Sequence, residues 1–132
     1  MMDLSTFDDS KYAEQAQRTW GAAPQWREFE EKSAAWTAGD RADAGRAMAE
    51  QFAAFGALRA AGEAPGGAAA QTQVRALQAC ITQRFYTCTD SVLAGLGRLY
   101  AGGGDFAANI DAAGGAGTAA FAAEAIRICC EA

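Results

Sequence analysis

There is no histidine anywhere in these 132 residues. A Ser or Cys nucleophile therefore lacks its usual general base, and triad-type hydrolysis has nothing to start it. The same gap leaves zinc only thiolates and carboxylates as ligands. No C-x-x-C pair supplies them, so neither a metal site nor a cofactor is expected. Basic residues are few and scattered: 11 Lys and Arg against 16 Asp and Glu give a net charge of −5. Phosphate neutralisation needs clustered cations, so no direct contact with nucleic acid is expected. No run approaches about 18 consecutive apolar residues, which leaves no membrane span. The start "MMDLSTFDDS" has neither the basic nor the apolar region of a secretory signal. A soluble, cytoplasmic chain is the expectation. Strand signals are missing as well, because nowhere do apolar and polar residues alternate cleanly.

What is present is alanine, aromatic rings and helical periodicity. Three Trp, seven Phe and three Tyr supply large apolar area, and alanine is a strong helix former that lets helices approach closely. The length is that of one domain with one core. Four cysteines, Cys80, Cys88, Cys129 and Cys130, match no disulfide framework and read as reduced thiols. Cys129 and Cys130 read as inert residues of a fraying end.

The stripes predict an all-α fold of five to six helices. Asp8, Asp9 or Ser10 can cap a first helix carrying Tyr12, Ala16 and Trp20 and stopping at Gly21. Pro24 restarts the chain and puts Trp26, Phe29, Ser33 and Trp36 on one stripe up to Gly39. Asp40 is the expected cap of a third helix with Ala44, Met48, Phe52 and Phe55 inward. Beyond the Gly- and Pro-rich connection Gly62–Ala70, a fourth carries Val74, Leu77, Ile81, Phe85 and Cys88. Asp90 is the expected cap of the next, with Leu96, Leu99 and Tyr100. "DFAANIDAA" makes a short helix, and Thr118 caps the last, with Phe121, Ala125 and Ile128 on its inner face.

No catalytic motif accompanies these stripes. The carboxylates fall on solvated faces and caps, and Gly102 to Gly104 lacks both the lysine and the strand of a phosphate loop. Aromatic excess remains. Adjacent rings such as Phe85 and Tyr86 cannot both face inward on one helix, so one of them is free to line a groove. Cys88, one turn after Phe85, adds a thiol to that wall. Leu96 and Tyr100, stacked one turn apart, make the opposite wall, and Trp26, Phe29 and Trp36 form a roof. The expected ligand-binding set is Trp26, Phe29, Trp36, Phe85, Tyr86, Cys88, Leu96 and Tyr100.

Three segments in order carry a family resemblance. "FDDSKYAEQAQRTWG", "FYTCTDSVLAGLGRLYAGGGDFAANID" and "GTAAFAAEAI" are together similar to the TipAS antibiotic-recognition domain, the effector part of some MerR-family activators that also occurs standalone. The match rests on Phe7, Tyr12, Trp20, Gly21, Phe85, Leu96, Gly97, Tyr100, Phe106, Asp111, Gly117, Phe121, Ala125 and Ile126. The chain departs from the pattern at Ile110, where an aromatic is usual.

The resemblance implies a globin-like helical domain that binds bulky, hydrophobic, peptide-like antibiotics such as thiopeptides without catalysing a reaction. Residues 1–61 would be a mobile lid and residues 71–132 the helical core. In some members a cysteine adds to a dehydroalanine of the ligand, a part Cys88 could take here. Drug sequestration fits a standalone protein and sensing fits a piece of a transcription regulator; a homodimer is compatible with both. The rival reading is a helical interaction domain whose apolar groove takes a partner helix. A thiol-dependent enzyme has only the four cysteines in its favour.

Overall fold

The computed structural model describes residues 24–131, the side chains of residues 24–26 and 106 excepted. The expected helix ending at Gly21 lies outside them. Six helices follow: α1 (Pro24–Ser33), α2 (Ala38–Ala60), α3 (Ala68–Arg84), α4 (Asp90–Ala101), α5 (Gly104–Gly114) and α6 (Thr118–Glu131). Among the described residues there is no strand, and the fold is all-α.

The helix ends follow local chemistry that the sequence reading placed one to three residues away. The stripe expected to run unbroken from Pro24 to Gly39 is cut in two. Thr37 caps α2: its hydroxyl accepts from Asp40 N–H at 3.1 Å, while the Asp40 carboxylate accepts from Thr37 N–H at 2.9 Å. Asp40 is therefore the third residue of a capping box and not the cap itself. The same shift occurs at α4, where the Thr89 hydroxyl accepts from Val92 N–H and Asp90 is the first helical residue. α2 ends on a Schellman turn at Gly62, whose φ of 81° suits glycine.

α3 stops at Arg84 instead of continuing to Cys88. The N–H groups of both Phe85 and Tyr86 turn back to the Ile81 carbonyl, and the Thr82 hydroxyl accepts from Cys88 N–H at 3.0 Å. Phe85, Tyr86 and Cys88 thus lie on a turn, where helical facing no longer applies. Tyr86 and Cys88 are buried, and Phe85 is half-buried.

α6 is the central element, packed by α2, α3, α4 and α5. Its alanines allow this: Ala119, Ala122, Ala123 and Ala125 are all buried, so neighbours close in from several sides. With so much of the helix covered, Ile126 is the fully buried isoleucine, and Ile128, expected inward, is half-buried. Thr118 is the first residue of this helix, and the N–H groups at its start are met by Asp111 of α5. One Asp111 oxygen accepts from Ala119 N–H at 2.8 Å and the other from Gly117 N–H at 3.3 Å. Within the core, Phe52 meets Tyr100 edge-on at 5.6 Å and Phe55 meets Phe121 at 6.4 Å. Two glycines permit the tightest crossings, Gly56 of α2 against Gly114 of α5 and Gly97 of α4 against Ile126 of α6.

Candidate functional site: an aromatic cluster beside a groove

α1 shares no packing face of comparable extent with the other helices; it is fastened at one end of the molecule by three rings and a set of surface hydrogen bonds. Phe29 of α1, Trp36 before α2 and Phe85 after α3 meet mutually. Their centroids are 5.8 Å apart for Phe29–Trp36, 5.8 Å for Phe29–Phe85 and 5.9 Å for Trp36–Phe85. Phe29 is buried, whereas Trp36 and Phe85 keep part of their surface open. The Arg41 guanidinium stands 5.8 Å from the Trp36 ring as a cation–π partner.

Next to this cluster runs a groove of about 520 Å³ lined by Lys32, Trp36, Asp40, Asp43, Gln83 and Arg84, with Ala44 at its floor. Its wall joins one aromatic face to charges of both signs, a make-up suited to a ligand with flat rings and polar edges.

Polar contacts set the distance between α1 and the end of α3. Lys32 Nζ donates to the carbonyls of Thr82 and Gln83, both at 3.2 Å, and so satisfies the open C-terminal end of α3. The Glu28 carboxylate accepts from the backbone N–H of Thr87 and from its hydroxyl, each at 2.9 Å. The Thr87 N–H in particular holds the Glu28 carboxyl below the usual carboxylate range. All these partners are at the surface, where each contact contributes only a fraction of a kcal/mol to about 1 kcal/mol.

The turn that carries Phe85 is itself anchored to α3. Gln78 Nε2 donates to the Cys88 carbonyl and to Asp90 Oδ1, both at 2.9 Å, and Arg75 donates to the same Asp90 oxygen at 2.9 Å. The Gln78 and Arg75 hydrogen bonds hold the Asp90 carboxyl low.

The structure therefore brings together Phe29, Trp36 and Phe85 from the expected set. Tyr86 and Cys88 lie buried in the turn behind them. Leu96 and Tyr100 are fully buried on α4, which packs on α5 and α6, and the Tyr100 ring meets Phe52. Of Trp26, only the backbone position in α1 is described. Lys32, Arg41, Gln83, Arg84 and Thr87 were not singled out by sequence reasoning, and Glu28 was read only as a carboxylate on a solvated helix face. The Lys32–Gln83 and Glu28–Thr87 partnerships link residues more than fifty positions apart, and no spacing rule announces such pairs.

Burial pushes the Cys88 thiol up to about 12, with Cys130 and Asp90 nearby adding to the effect. At neutral pH it is a protonated, covered group. Its ordinary value is 9.0, so the native state resists ionisation that the unfolded chain accepts, and this group's contribution to stability is full below pH 9 and lost between pH 9 and about 12. The unfolding free energy should fall by ~1 kcal/mol per pH unit on entering that window, and by visibly less in Cys88→Ala. Urea titrations at two alkaline pH values measure the difference, and equal slopes for the two proteins would contradict the assignment.

Among the described residues no group of three or more Cys, Asp and Glu side chains is arranged to hold a metal ion. No described helix is long and apolar enough to cross a membrane.

A helical core with a half-open aromatic cluster beside a groove, closed by a helix fastened mainly through its surface, has the make-up of a small-molecule-binding domain. The TipAS antibiotic-recognition domain model matches residues 12–129, and the chain belongs to that family. It is also similar to the structure of TipAS in complex with nosiheptide, part of a thiopeptide antibiotic multidrug resistance system of Streptomyces lividans. The similarity covers 97% of this chain and 91% of that one, at 28% identity and a TM-score of 0.81. No curated protein matches the chain.

Proposed function

We propose that this protein is a non-enzymatic receptor for bulky hydrophobic peptide-like antibiotics of the thiopeptide class, working in the cytoplasm by sequestration or as the sensor part of a regulator. The observation that carries the reading is the mutual contact of Phe29, Trp36 and Phe85 beside a groove of about 520 Å³. It is supported by family membership and by the similarity to a domain bound to nosiheptide. In this reading Trp36 and Phe85 present ring faces to the flat heterocycles of the ligand. Buried Tyr86, Cys88, Leu96 and Tyr100 form the core that backs the site.

The lid, expected over residues 1–61, is narrowed in this proposal to α1, because α2 carries the fully buried Phe52 and Phe55. α1 is held by exposed hydrogen bonds and one ring cluster, so it can lift at small cost and re-close over a ligand, while α3 is held by core packing. A partner helix would instead need a continuous apolar strip, and the groove is bordered by Lys32, Asp40, Asp43 and Arg84.

Titration of the protein with nosiheptide, read by tryptophan fluorescence and by calorimetry, tests the assignment. Saturable one-to-one binding with Kd near or below about 1 μM is expected, which corresponds to about −8 kcal/mol. Failure of nosiheptide and of a panel of other thiopeptides to bind would overturn it.

A further inference from the structure

The cysteine pair that the ligand reading leaves unused lies at the opposite end of the turn from Phe85. α6 runs to Glu131, so Cys129 and Cys130 sit in its last turn and are half-buried. The Cys130 sulfur lies 3.7 Å from the Asp90 carbonyl oxygen and the Cys88 sulfur 3.9 Å from the Thr89 carbonyl oxygen. Two cysteines more than forty residues apart in sequence thus flank consecutive peptide groups at the start of α4. The close approach of Gly97 to Ile126 fixes how α4 lies along α6 and so keeps the two thiols in this relation.

We propose that Cys88 and Cys130 are an oxidisable pair, which a hydroperoxide converts to a disulfide tying the end of α6 to the turn between α3 and α4. Cys130 is the sulfur oxidised first. It is part-exposed and opens on a groove between α4 and α6, where a peroxide can reach it; burial, with Cys129 and Asp90 nearby, holds its thiol above the ordinary value, and the Arg75 and Arg98 guanidiniums only partly oppose that. Its sulfur takes one oxygen from the peroxide; the O–O bond breaks and water or an alcohol leaves, with Cys130 now a sulfenic acid. Cys88 resolves it. Opening of the last turn of α6 uncovers Cys88, whose thiol gives its proton to solvent; the thiolate attacks the sulfenic sulfur, the S–S bond forms as the S–O bond breaks, and the departing hydroxide takes up a proton and leaves as water.

Cys129 does not compete as the partner of Cys130, because adjacent residues on a helix point about 100° apart and cannot meet disulfide geometry without unwinding it. Closing the bond requires the end of α6 to move toward Cys88, which it can do because only Glu131 follows Cys130 in the helix and the last turn of a helix opens readily. The bond would close a long loop and restrict the unfolded chain, so the oxidised form should melt several degrees higher.

The test is independent of any antibiotic. The reduced full chain is treated with hydrogen peroxide, digested with trypsin without reductant and analysed by mass spectrometry. The expected product joins the peptide containing Cys88 to the C-terminal peptide containing Cys129 and Cys130, at the mass of the sum less two hydrogens. The crosslink should survive in Cys129→Ser, vanish in Cys130→Ser and be removed by dithiothreitol together with the rise in melting temperature. Cys130→Ser changes a part-exposed residue and keeps the fold intact, so loss of the crosslink there is informative without the buried Cys88 variant. A crosslink that persists in Cys130→Ser, a dimer in place of an internal bond, or sulfinic acid at Cys130 with Cys88 still reduced would each overturn the proposal.

Discussion

A single methyl group at Gly56 is expected to remove a large share of the protein's stability. A Cβ built there lies 2.0 Å from the Gly114 carbonyl oxygen, 2.7 Å from its carbonyl carbon and 2.8 Å from its Cα. All three are backbone atoms, which no side-chain rotation can move aside. α5 would have to back away from α2, yet it is held from behind. A Cβ at Gly114 would itself meet Thr118 at 2.4 Å and the Phe52 carbonyl oxygen at 2.7 Å, so the crossing is already in van der Waals contact on every side. Separating the helices would disturb the Asp111 contacts that cap α6 and the fully buried Phe52 and Ile110.

The expected cost of Gly56→Ala is at least about 3 kcal/mol, the upper range for overpacking, against a total of about 5–15 kcal/mol for a domain of ordinary stability. Gly95→Ala is the matched control. It lies mid-helix in α4, its Cβ would meet only the tip of Arg98 at 3.7 Å, and it should gain about 0.5–1 kcal/mol from helix propensity. Urea unfolding followed by circular dichroism reads both. Gly56→Ala within about 0.5 kcal/mol of wild type would mean that α2 and α5 do not cross this closely.

The second large effect is on affinity. Trp36→Ala should weaken nosiheptide binding by roughly thirtyfold to a thousandfold, the 2–4 kcal/mol of a ring at the centre of a contact surface. Phe85→Ala should act in the same direction, and the double variant should lose less than the sum because the two rings touch. The melting temperature should fall much less than for a core truncation, since both rings are only half-buried. Leu96 supplies the contrast. It is fully buried, so Leu96→Trp would overpack the core, whereas Leu96→Met keeps the volume and should leave affinity unchanged. Calorimetric titration of the four variants decides between the two places. If Trp36→Ala binds as wild type does and Leu96→Met loses affinity, the ligand sits against α4 and the aromatic cluster is only a fastening for α1.

The helices and their inner faces could be read directly from the chain. Met48, Phe52, Phe55, Val74, Leu77, Ile81, Leu96, Tyr100 and Phe121 all proved buried, because a period of 3.6 residues is a local property and burial follows it wherever the helix persists. Caps were legible to within a few residues for the same reason. Thr37 and Thr89 displaced Asp40 and Asp90 as caps because candidates within three residues of each other compete, and the hydroxyl that can reach the N–H three residues on wins.

The ends of the stripes were misread where tertiary contacts override periodicity. The pattern of α3 continues to Cys88, but hydrogen bonds from Thr82 and Gln78 fold residues 85–88 into a turn. That turn aims Phe85 at Trp36 and Phe29. Order, spacing and composition sufficed for the family, the all-α class and the aromatic excess, since each is written along a few consecutive residues. The ring cluster, the Glu28–Thr87 and Lys32–Thr82 fastenings, the Gly56–Gly114 crossing and the approach of Cys130 to Asp90 belong to the tertiary structure alone. Each joins positions roughly forty to sixty residues apart, and at that separation only the packing of whole helices decides which side chains meet.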